Sequence, residues 1–296
     1  MKAKVYFTKE ITPEKVVEMY QALGVKLPGK VAVKVHSGEK GNQNFLRPEF
    51  WRPMVEKVHG TIVECNTAYG DASGGVRDHT ESHRKLLEEH GWTKYFDVDL
   101  MDAEGPDVIW PIPNGKILKE NHLGKDIMNY DSMLVLAHFK GHPMGGYGGA
   151  LKQLAIGCAS RAGKALIHSG GKTDDRYETW DQHASKTAFP EAMADAASSV
   201  VEHFKGKIAF INVMKNLSVD CDCCAVAEDP CMKDIGILAS TDPVAIDQAC
   251  MDLVIQSDAP GKEHFMEKVN SRNGIHTIEA AEELGIGTRE YELIQL

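Results

Sequence analysis

No run of apolar residues in this chain approaches the roughly 18 that a membrane span needs, and the sequence has neither an internal repeat nor a low-complexity tract. Its start, Met1-Lys2-Ala3-Lys4, lacks the apolar stretch and cleavage site of a secretion signal, so we expect a cytoplasmic protein without a membrane partner. Basic residues are also scarce, since 33 Lys and Arg stand against 43 Asp and Glu, a formal net charge of -10. This balance argues against nucleic acid and favours a small molecule or another protein as partner.

Cysteine is sparse, but its distribution is uneven. Four of the seven cysteines fall between Cys221 and Cys231. An odd, clustered set without a secretion signal indicates metal binding or redox chemistry rather than a disulfide framework. We expect Cys65 and Cys250 to be small buried hydrophobes, whereas the role of Cys158 stays open.

The order of apolar segments predicts an α/β fold, a doubly wound, mostly parallel sheet flanked by helices. We expect one α/β domain over 1–296, with two lobes around a cleft at the carboxyl ends of the strands as the alternative. A peripheral hairpin is predicted within 99–123. The predicted buried parallel strands are 31–35, 61–65, 132–137, 165–167, 208–213 and 235–239. The predicted helices are 13–23, 48–58, 78–90, 150–160, 190–204 and 243–255.

Polar, glycine-rich stretches follow five of these predicted strands. In open α/β sheets the ligand site lies beyond the carboxyl ends of the strands, so we expect the stretches to meet at one edge of the sheet. The sequence therefore predicts one composite site. The stretches are 36–42, 66–75, 138–149, 168–172 and 215–224.

The cysteines of the last stretch form the pattern C-x-C-C-x6-C, which predicts metal ligation by Cys221, Cys223, Cys224 and Cys231. Thiolates gathered around a cation lose their mutual repulsion and form metal–sulfur bonds. Soft ligands favour an iron–sulfur cluster or a single thiolate-bound metal such as iron, zinc or copper(I), but the spacing matches neither structural zinc nor a ferredoxin. Redox-active thiols and plain packing are the alternatives. Adjacent cysteines point apart in extended backbone, so Cys223 and Cys224 need not both be ligands.

A run of glycines precedes the predicted helix that begins at Ala150. Glycine lets backbone N–H groups approach an anion, and a helix start adds partial positive charge. We therefore expect this loop to bind a small anionic molecule, with Lys152 as a further contact; a tight turn without a ligand is the alternative. The predicted binding residues are Gly145, Gly146, Gly148, Gly149 and Lys152.

Basic side chains beside this loop are candidates for catalysis. His138, Lys140 and His142 alternate along the chain, which in extended backbone places them on one side. A lone histidine is usually structural, but three such side chains at a strand end favour a site. We predict His36 or His138 as acid or base, and Lys140 and His142 as partners of Lys152 in holding an anionic group.

Five segments of the chain resemble the family known as domain of unknown function 362, whose members are often labelled uncharacterised iron–sulfur centre proteins. Larger members carry a ferredoxin-like insert with two cysteine quartets after the position that matches His168. Here 170–177 contains no cysteine, so the resemblance implies a short form without those two [4Fe–4S] clusters. It implies the α/β fold and the Asp220 to Cys224 site, while Cys231 lies outside the shared segments. The segments are 34–39, 45–48, 146–160, 220–224 and 234–247.

Three functions follow from these observations. The first is a metal-dependent oxidoreductase that acts on a small anionic substrate or cofactor and receives electrons from a separate carrier. The second is a metal-handling or cofactor-assembly protein, in which exposed thiolates transfer a metal without catalysis. The third is an enzyme whose cysteines form a structural zinc site while catalysis takes place elsewhere.

Overall fold

Strands and helices alternate through most of the chain. A computed structural model describes residues 2–70 and 74–296. The strands are β1 (Ala3–Thr8), β2 (Val31–Lys34), β3 (Thr61–Glu64), β4 (Val98–Leu100), β5 (Val108–Pro111), β6 (Glu120–Leu123), β7 (Ser132–His138), β8 (Lys140–His142), β9 (Gly146–Gly148), β10 (Ile208–Met214), β11 (Gly236–Ser240) and β12 (Tyr291–Gln295). The helices are α1 (Pro13–Ala22), α2 (Pro48–Val58), α3 (Thr80–Glu89), α4 (Trp92–Tyr95), α5 (Ala150–Cys158), α6 (Arg161–Ser169), α7 (Ala188–His203), α8 (Pro243–Gln256), α9 (Lys262–Ser271) and α10 (His276–Glu283), with a 3-10 helix at Lys125–Asn129.

Eight strands form the central sheet, in the order β12-β1-β11-β10-β7-β2-β3-β4. Every neighbouring pair is parallel except the two pairs that contain β11. The predicted α/β class with a mostly parallel sheet is therefore confirmed. The predicted hairpin is present as the antiparallel pair β5 and β6, and β8 pairs with β9 in a second two-stranded sheet.

Strand β11 corrects one prediction, because the sequence indicated a parallel strand there. It runs antiparallel to both β1 and β10. The segment 215–235 that joins β10 to β11 contains no helix, and without a crossover the chain can return only in the opposite direction. The cysteine motif lies in this connection, at the same edge of the sheet as the carboxyl end of β10.

Both faces of the sheet are covered, as a doubly wound fold requires. Along β7, Met133 and Val135 belong to one hydrophobic core, while Leu134 and Leu136 belong to the other. The side chains of a strand point alternately to opposite faces, so both sets are buried only if helices pack on each side. None of the helices in the described ranges is long and apolar enough to cross a membrane.

Helix α6 corrects a second prediction, since the apolar run 165–167 was expected to be a strand. Ser160 begins the helix by accepting a hydrogen bond from the Gly163 amide at 3.1 Å, and Gly170 ends it with a left-handed φ of 66°. A short apolar run does not distinguish a buried helix from a buried strand. The polar residues after it therefore lie at a helix end, although His168 still reaches the same site.

Candidate metal and anion site

The loop after β2 holds the cysteine loop in place. The Glu39 amide donates to the Asp222 carbonyl at 2.8 Å. The Asn42 side-chain amide donates to the carbonyl oxygens of Cys221 and Cys224, at 3.3 and 2.9 Å. These contacts bring together segments about 180 residues apart in sequence, at the edge of the sheet where the sequence predicted a composite site.

Three soft donors converge in this region. One ligand atom from each of His36, Cys221 and Cys223 lies within 4.8 Å of the other two. Thiolate sulfur and imidazole nitrogen are the ligands that zinc, iron and copper prefer. The site thus contains two of the four predicted cysteine ligands and a histidine that the sequence suggested as an acid or base.

The other two predicted cysteine ligands lie outside this group in the part of the chain described. Cys224 is half-buried and its thiol contacts that of Cys223, a hydrogen bond that lowers the pKa of Cys224 below its ordinary value. The Cys231 thiol instead donates to the Leu217 carbonyl at 3.4 Å.

Burial disfavours ionisation of the two thiols in this group. Burial raises the pKa of Cys221 well above its ordinary value. A hydrogen bond with Cys221 acts to lower the pKa of Cys223, but contact with Cys224 and burial outweigh it and raise that pKa to about 11. Metal ions bind thiolates, so binding here would release protons.

His36 also has to change state to bind a metal. Its Nδ1 accepts a hydrogen bond from the Gly38 amide at 3.1 Å, so in the neutral ring the proton lies on Nε2. Burial holds the pKa of His36 well below its usual range, so the neutral ring is the relevant form. Metal binding to the neutral ring therefore breaks the Gly38 contact, directly if the metal binds Nδ1, and by moving the proton to Nδ1 if the metal binds Nε2.

A buried network of charges supports the backbone of Cys223. Arg77 pairs with Glu39 at 3.1 Å and donates to the Tyr69 hydroxyl at 2.7 Å. That hydroxyl lies 3.0 Å from the Glu39 carboxylate and 3.1 Å from the Cys223 carbonyl. Since Arg77 and Glu39 are almost completely buried, the network fixes this part of the cysteine loop.

A small cavity of about 50 Å³ lies against the group, and we call it the inner chamber. Among the residues described, four cationic side chains line it, Lys34, Arg77, Lys152 and Lys164, and one carboxylate, that of Glu64. Lys34 and Arg77 pair with Glu64, whereas Lys152 and Lys164 form no ion pair with a carboxylate in 2–70 and 74–296. The described residues that line the chamber therefore carry more positive than negative charge.

Lys152 joins the chamber to the metal group. Its Nζ lies 3.1 Å from the Cys221 sulfur. Burial acts to lower the pKa of Lys152, but the sulfurs of Cys221 and Cys223 outweigh it and hold that pKa above its ordinary value. The charged ammonium is thus shared between the metal group and the inner chamber.

A larger cavity of about 480 Å³ adjoins the inner chamber, and we call it the outer cavity. The two share four lining residues, Tyr69, His142, His168 and Cys223. Apolar side chains line much of the remainder of the outer cavity: Pro143, Met144, Trp180, Ala225 and Val226.

The two shared histidines have defined tautomers. His168 Nδ1 lies 2.6 Å from the Lys164 carbonyl, which can only accept, so Nδ1 carries the proton and Nε2 a lone pair. His142 Nδ1 accepts from the Gly145 amide at 2.8 Å, so its proton is on Nε2. Burial lowers the pKa of His142 well below its usual range and that of His168 to about 4.

The helix start that the sequence offered to an anion is occupied by an internal carboxylate. Asp247 accepts hydrogen bonds from the amides of Ala150 at 2.8 Å and Leu151 at 3.0 Å. Gly149 permits this, since a Cβ there would lie 2.4 Å from the Asp247 carboxylate. The expectation that a ligand takes these amides is therefore corrected.

The four glycines predicted to bind a ligand belong to a buried hairpin and its exit into α5. Gly141, in the same hairpin, lies so close to the cysteine loop that a Cβ would be 2.2 Å from the Val219 carbonyl. Close packing therefore explains why glycines occur at these positions of the hairpin. A ligand-binding role for Gly145, Gly146, Gly148 and Gly149 stays a prediction, while Lys152 does line the inner chamber.

His138 and Lys140 occupy a different position from the one predicted. His138 Nδ1 lies 2.9 Å from the Asp222 carboxylate, and Lys140 Nζ is also 2.9 Å from it. Burial acts to raise the pKa of Asp222, but its contacts with His138 and Lys140 hold it far below its usual range. Neither side chain is among the residues that line the inner chamber or the outer cavity, and both contact the cysteine loop through Asp222.

The sequence did not single out Lys164 and His168. They are four residues apart in α6, and both are buried on the side that faces the inner chamber. Because the middle of this helix was taken for a strand, the one-turn spacing that places both on one face was not apparent.

Comparisons with known proteins identify a family but no named function. A family model described as "Domain of unknown function (DUF362)" matches residues 31–252. No protein with a curated description matches the chain.

Two solved structures are similar in outline. One is the lactate racemase apoprotein from Thermoanaerobacterium thermosaccharolyticum, with a TM-score of 0.42 and 11% identity over 70% of this chain and 50% of that one. The other is a protein from Thermotoga maritima, with a TM-score of 0.39 and 13% identity over 92% of this chain and 59% of that one. The chain thus spans between half and three fifths of their length, and likeness at this level carries no argument about function.

Proposed function

Since the chain belongs to the family described as domain of unknown function 362, we propose that it is a metalloenzyme acting on a small anionic substrate or cofactor. The observation that best supports this proposal is that two features lie in contact. One is the group of soft donors, His36, Cys221 and Cys223, and the other is the cationic inner chamber. Lys152 belongs to both, because its ammonium lies 3.1 Å from the Cys221 sulfur and lines the chamber.

The donor set supports a reactive site over a purely structural one. Structural zinc sites are usually closed by four protein ligands, whereas catalytic sites leave a coordination position open. Here three donors form the group among the residues described, and Cys223 also lines both cavities. A metal held there would supply a Lewis acid or an electron-transfer centre beside the bound anion.

The protein's own residues would bind and orient the anion. Lys152 and Lys164 pair with no carboxylate among the residues described. Burial lowers the pKa of Lys164, but it also strengthens the attraction of both ammonium groups for an anion because water screens it less. His142 and His168, at the junction of the two cavities, provide a hydrogen-bond donor and an acceptor. We assign the acid–base role to this pair in place of the predicted His36 or His138.

We further propose redox chemistry with electrons from a separate carrier. Soft thiolate ligands suit iron, and the stretch 170–177 has no cysteine with which to hold clusters of its own. All seven cysteines are free, which fits a reducing compartment such as the cytoplasm.

Metal analysis of the full chain, purified without oxygen, tests the proposal. We expect about one metal site per chain in the wild type, and loss of metal in Cys221→Ser and Cys223→Ser. Cys250→Ser is the matched control, because that buried cysteine lies against Asn212 and outside the group. Charge-transfer absorbance would indicate an iron–sulfur cluster, and a colourless protein with bound zinc would indicate zinc. Equal metal content in all four proteins would disprove the metal site.

One observation favours metal transfer as the second candidate. Cys224 is only half-buried, contacts Cys223 and lines the outer cavity, so it offers an incoming chelator or acceptor a second thiol. In that case Cys224→Ser would slow the release of metal to a chelator without lowering the amount bound. A catalytic metal would leave at the same rate from both proteins.

A further inference from the structure

The joined cavities differ in size and chemistry, and from this difference we infer that the natural ligand is an amphipathic carboxylate. Its carboxylate head would occupy the inner chamber, and its hydrocarbon or aromatic body would fill the outer cavity. The inference rests on the anion-binding half of the proposed function and adds the class of substrate.

The inner chamber sets the size and charge of the head. Its volume of about 50 Å³ admits a group of a few heavy atoms. Lys152 and Lys164 line it, both are more than nine-tenths buried, and neither pairs with a carboxylate in the described ranges. Burial lowers the pKa of Lys164, whose Nζ donates to the Ala159 carbonyl at 2.6 Å, so an entering carboxylate would stabilise its charged form. Lys152, which already contacts the Cys221 sulfur, would supply the second positive charge.

The size and lining of the outer cavity indicate that the body of the ligand is apolar. At about 480 Å³ it falls within the range of small-molecule sites, which is about 300 to 1,000 Å³. Val226 is 91% exposed and Trp180 40% exposed, and both line the outer cavity together with Met144. Apolar side chains that line a concave surface gain when a ligand removes water from them.

The two halves together exclude simpler ligands. An inorganic anion would leave the outer cavity filled with water, and an uncharged hydrocarbon would leave the lysines unpaired. A sugar phosphate would bring hydroxyl groups against the apolar side chains of Pro143, Met144 and Trp180. Only a ligand with a small anionic head and an apolar body satisfies both cavities.

Calorimetric titration of the full chain with matched probes tests the inference. Acetate carries the head alone, octan-1-ol the body alone, octanoate both, and octyl phosphate a larger head on the same body. We expect one octanoate to bind per chain, at least about tenfold more tightly than acetate, octan-1-ol or octyl phosphate.

Two variants test where the carboxylate head and the hydrocarbon body of octanoate bind. Lys164→Met keeps the length of the side chain and should weaken octanoate about tenfold while leaving octan-1-ol unchanged. Val226→Ser alters a side chain that is 91% exposed, so folding is not at risk. It should weaken octanoate about threefold without changing acetate. Lys205→Met, a change to an exposed lysine outside both cavities, is the control for general charge effects and should have no effect.

The outcomes separate this inference from the proposed function. Equal affinity for acetate and octanoate would overturn the amphipathic ligand and leave the anion site standing. Tighter binding of octyl phosphate would overturn the carboxylate head. No binding of any anion, with or without metal, would overturn both proposals. Octanoate binding that persists after a chelator has removed the metal would support the inference even if the metal site were assigned wrongly.

Discussion

His142 and His168 line the same junction between two cavities with their imidazole rings in opposite tautomers. The Gly145 amide fixes the proton of His142 on Nε2, and the Lys164 carbonyl fixes that of His168 on Nδ1. The junction therefore has one N–H donor and one nitrogen lone pair, although both residues are histidines. Such a pair can hold a group that both accepts and donates a hydrogen bond, or move a proton onto and off a substrate.

Because His168 is buried, we expect the free energy of unfolding to decrease in mild acid. Its pKa is about 4 in the folded protein against an ordinary value of 6.5, so between these values the unfolded chain binds a proton that the folded protein does not. Stability from this residue is thus complete above pH 6.5 and falls as the pH drops towards 4. At pH 5 its share of the loss is about 2 kcal/mol.

Urea unfolding at pH 7.5 and pH 5.0 measures this effect. His168→Gln should reduce the difference between the two unfolding free energies by about 2 kcal/mol, because glutamine does not titrate. His59→Asn, at an exposed position with a left-handed φ of 48°, is the control and should leave the difference unchanged. An identical pH dependence in wild type and His168→Gln would show that the ring is accessible to protons.

A second prediction concerns the number of cysteine ligands. Cys231→Ser should keep the metal content of the wild type, since its thiol bonds to the Leu217 carbonyl outside the donor group. Cys221→Ser, measured in parallel by elemental analysis of protein prepared without oxygen, should lose it. If the two variants lose metal equally, the C-x-C-C-x6-C pattern acts as a whole and the loop closes further around the ion.

Local patterns in the sequence predicted more of the fold than of the site. The α/β alternation and the start of α8 were correctly predicted, because buried strands and an Asp242 cap before Pro243 are local signals. The direction of β11 was not, since it depends on whether the preceding connection contains a helix. The pattern of cysteines identified Cys221 and Cys223, but no spacing rule could bring His36 to them from about 185 residues away.

The sequence likewise does not reveal which carboxylates contact residues that are far away in the chain. Asp247 belongs to α8, where it is fully buried and accepts hydrogen bonds at the start of α5. Its partners lie 96 and 97 residues earlier in the sequence. A helix start followed by Lys152 indicates an anion, and only the structure shows that the chain supplies that anion itself.

Asp247→Ala should therefore destabilise the protein strongly. It leaves the amides of Ala150 and Leu151 and the Asn212 side-chain amide without their acceptor in a buried site, at a combined cost of about 3–5 kcal/mol. Urea unfolding measures the loss, and hydrogen exchange at the two amides should accelerate. Asp258→Ala, at an exposed aspartate just beyond the same helix, should change neither. Unaltered exchange at Ala150 and Leu151 would mean that another group caps α5.

The ion pair beneath the cysteine loop gives the last prediction. Asp222 is 1% exposed, and its carboxylate lies 2.9 Å from the Lys140 ammonium and 2.9 Å from His138 Nδ1. Asp222→Ala leaves a buried ammonium without its counter-ion, which costs about 3–5 kcal/mol of unfolding free energy. Asp229→Ala, an exposed aspartate in the same loop, is the control and should cost less than about 0.5 kcal/mol.

A double variant distinguishes the cost of leaving the Lys140 ammonium unpaired from the cost of lost packing. Lys140→Met in the Asp222→Ala protein removes the unpaired ammonium while filling similar space, so the double variant should be more stable than Asp222→Ala alone. Urea unfolding of the single and double variants completes the cycle. Because Asp222 lies between Cys221 and Cys223, Asp222→Ala should also weaken metal binding. If Lys140→Met restores no stability, the carboxylate acts through the backbone of the cysteine loop, and Lys140 contributes little to holding that loop.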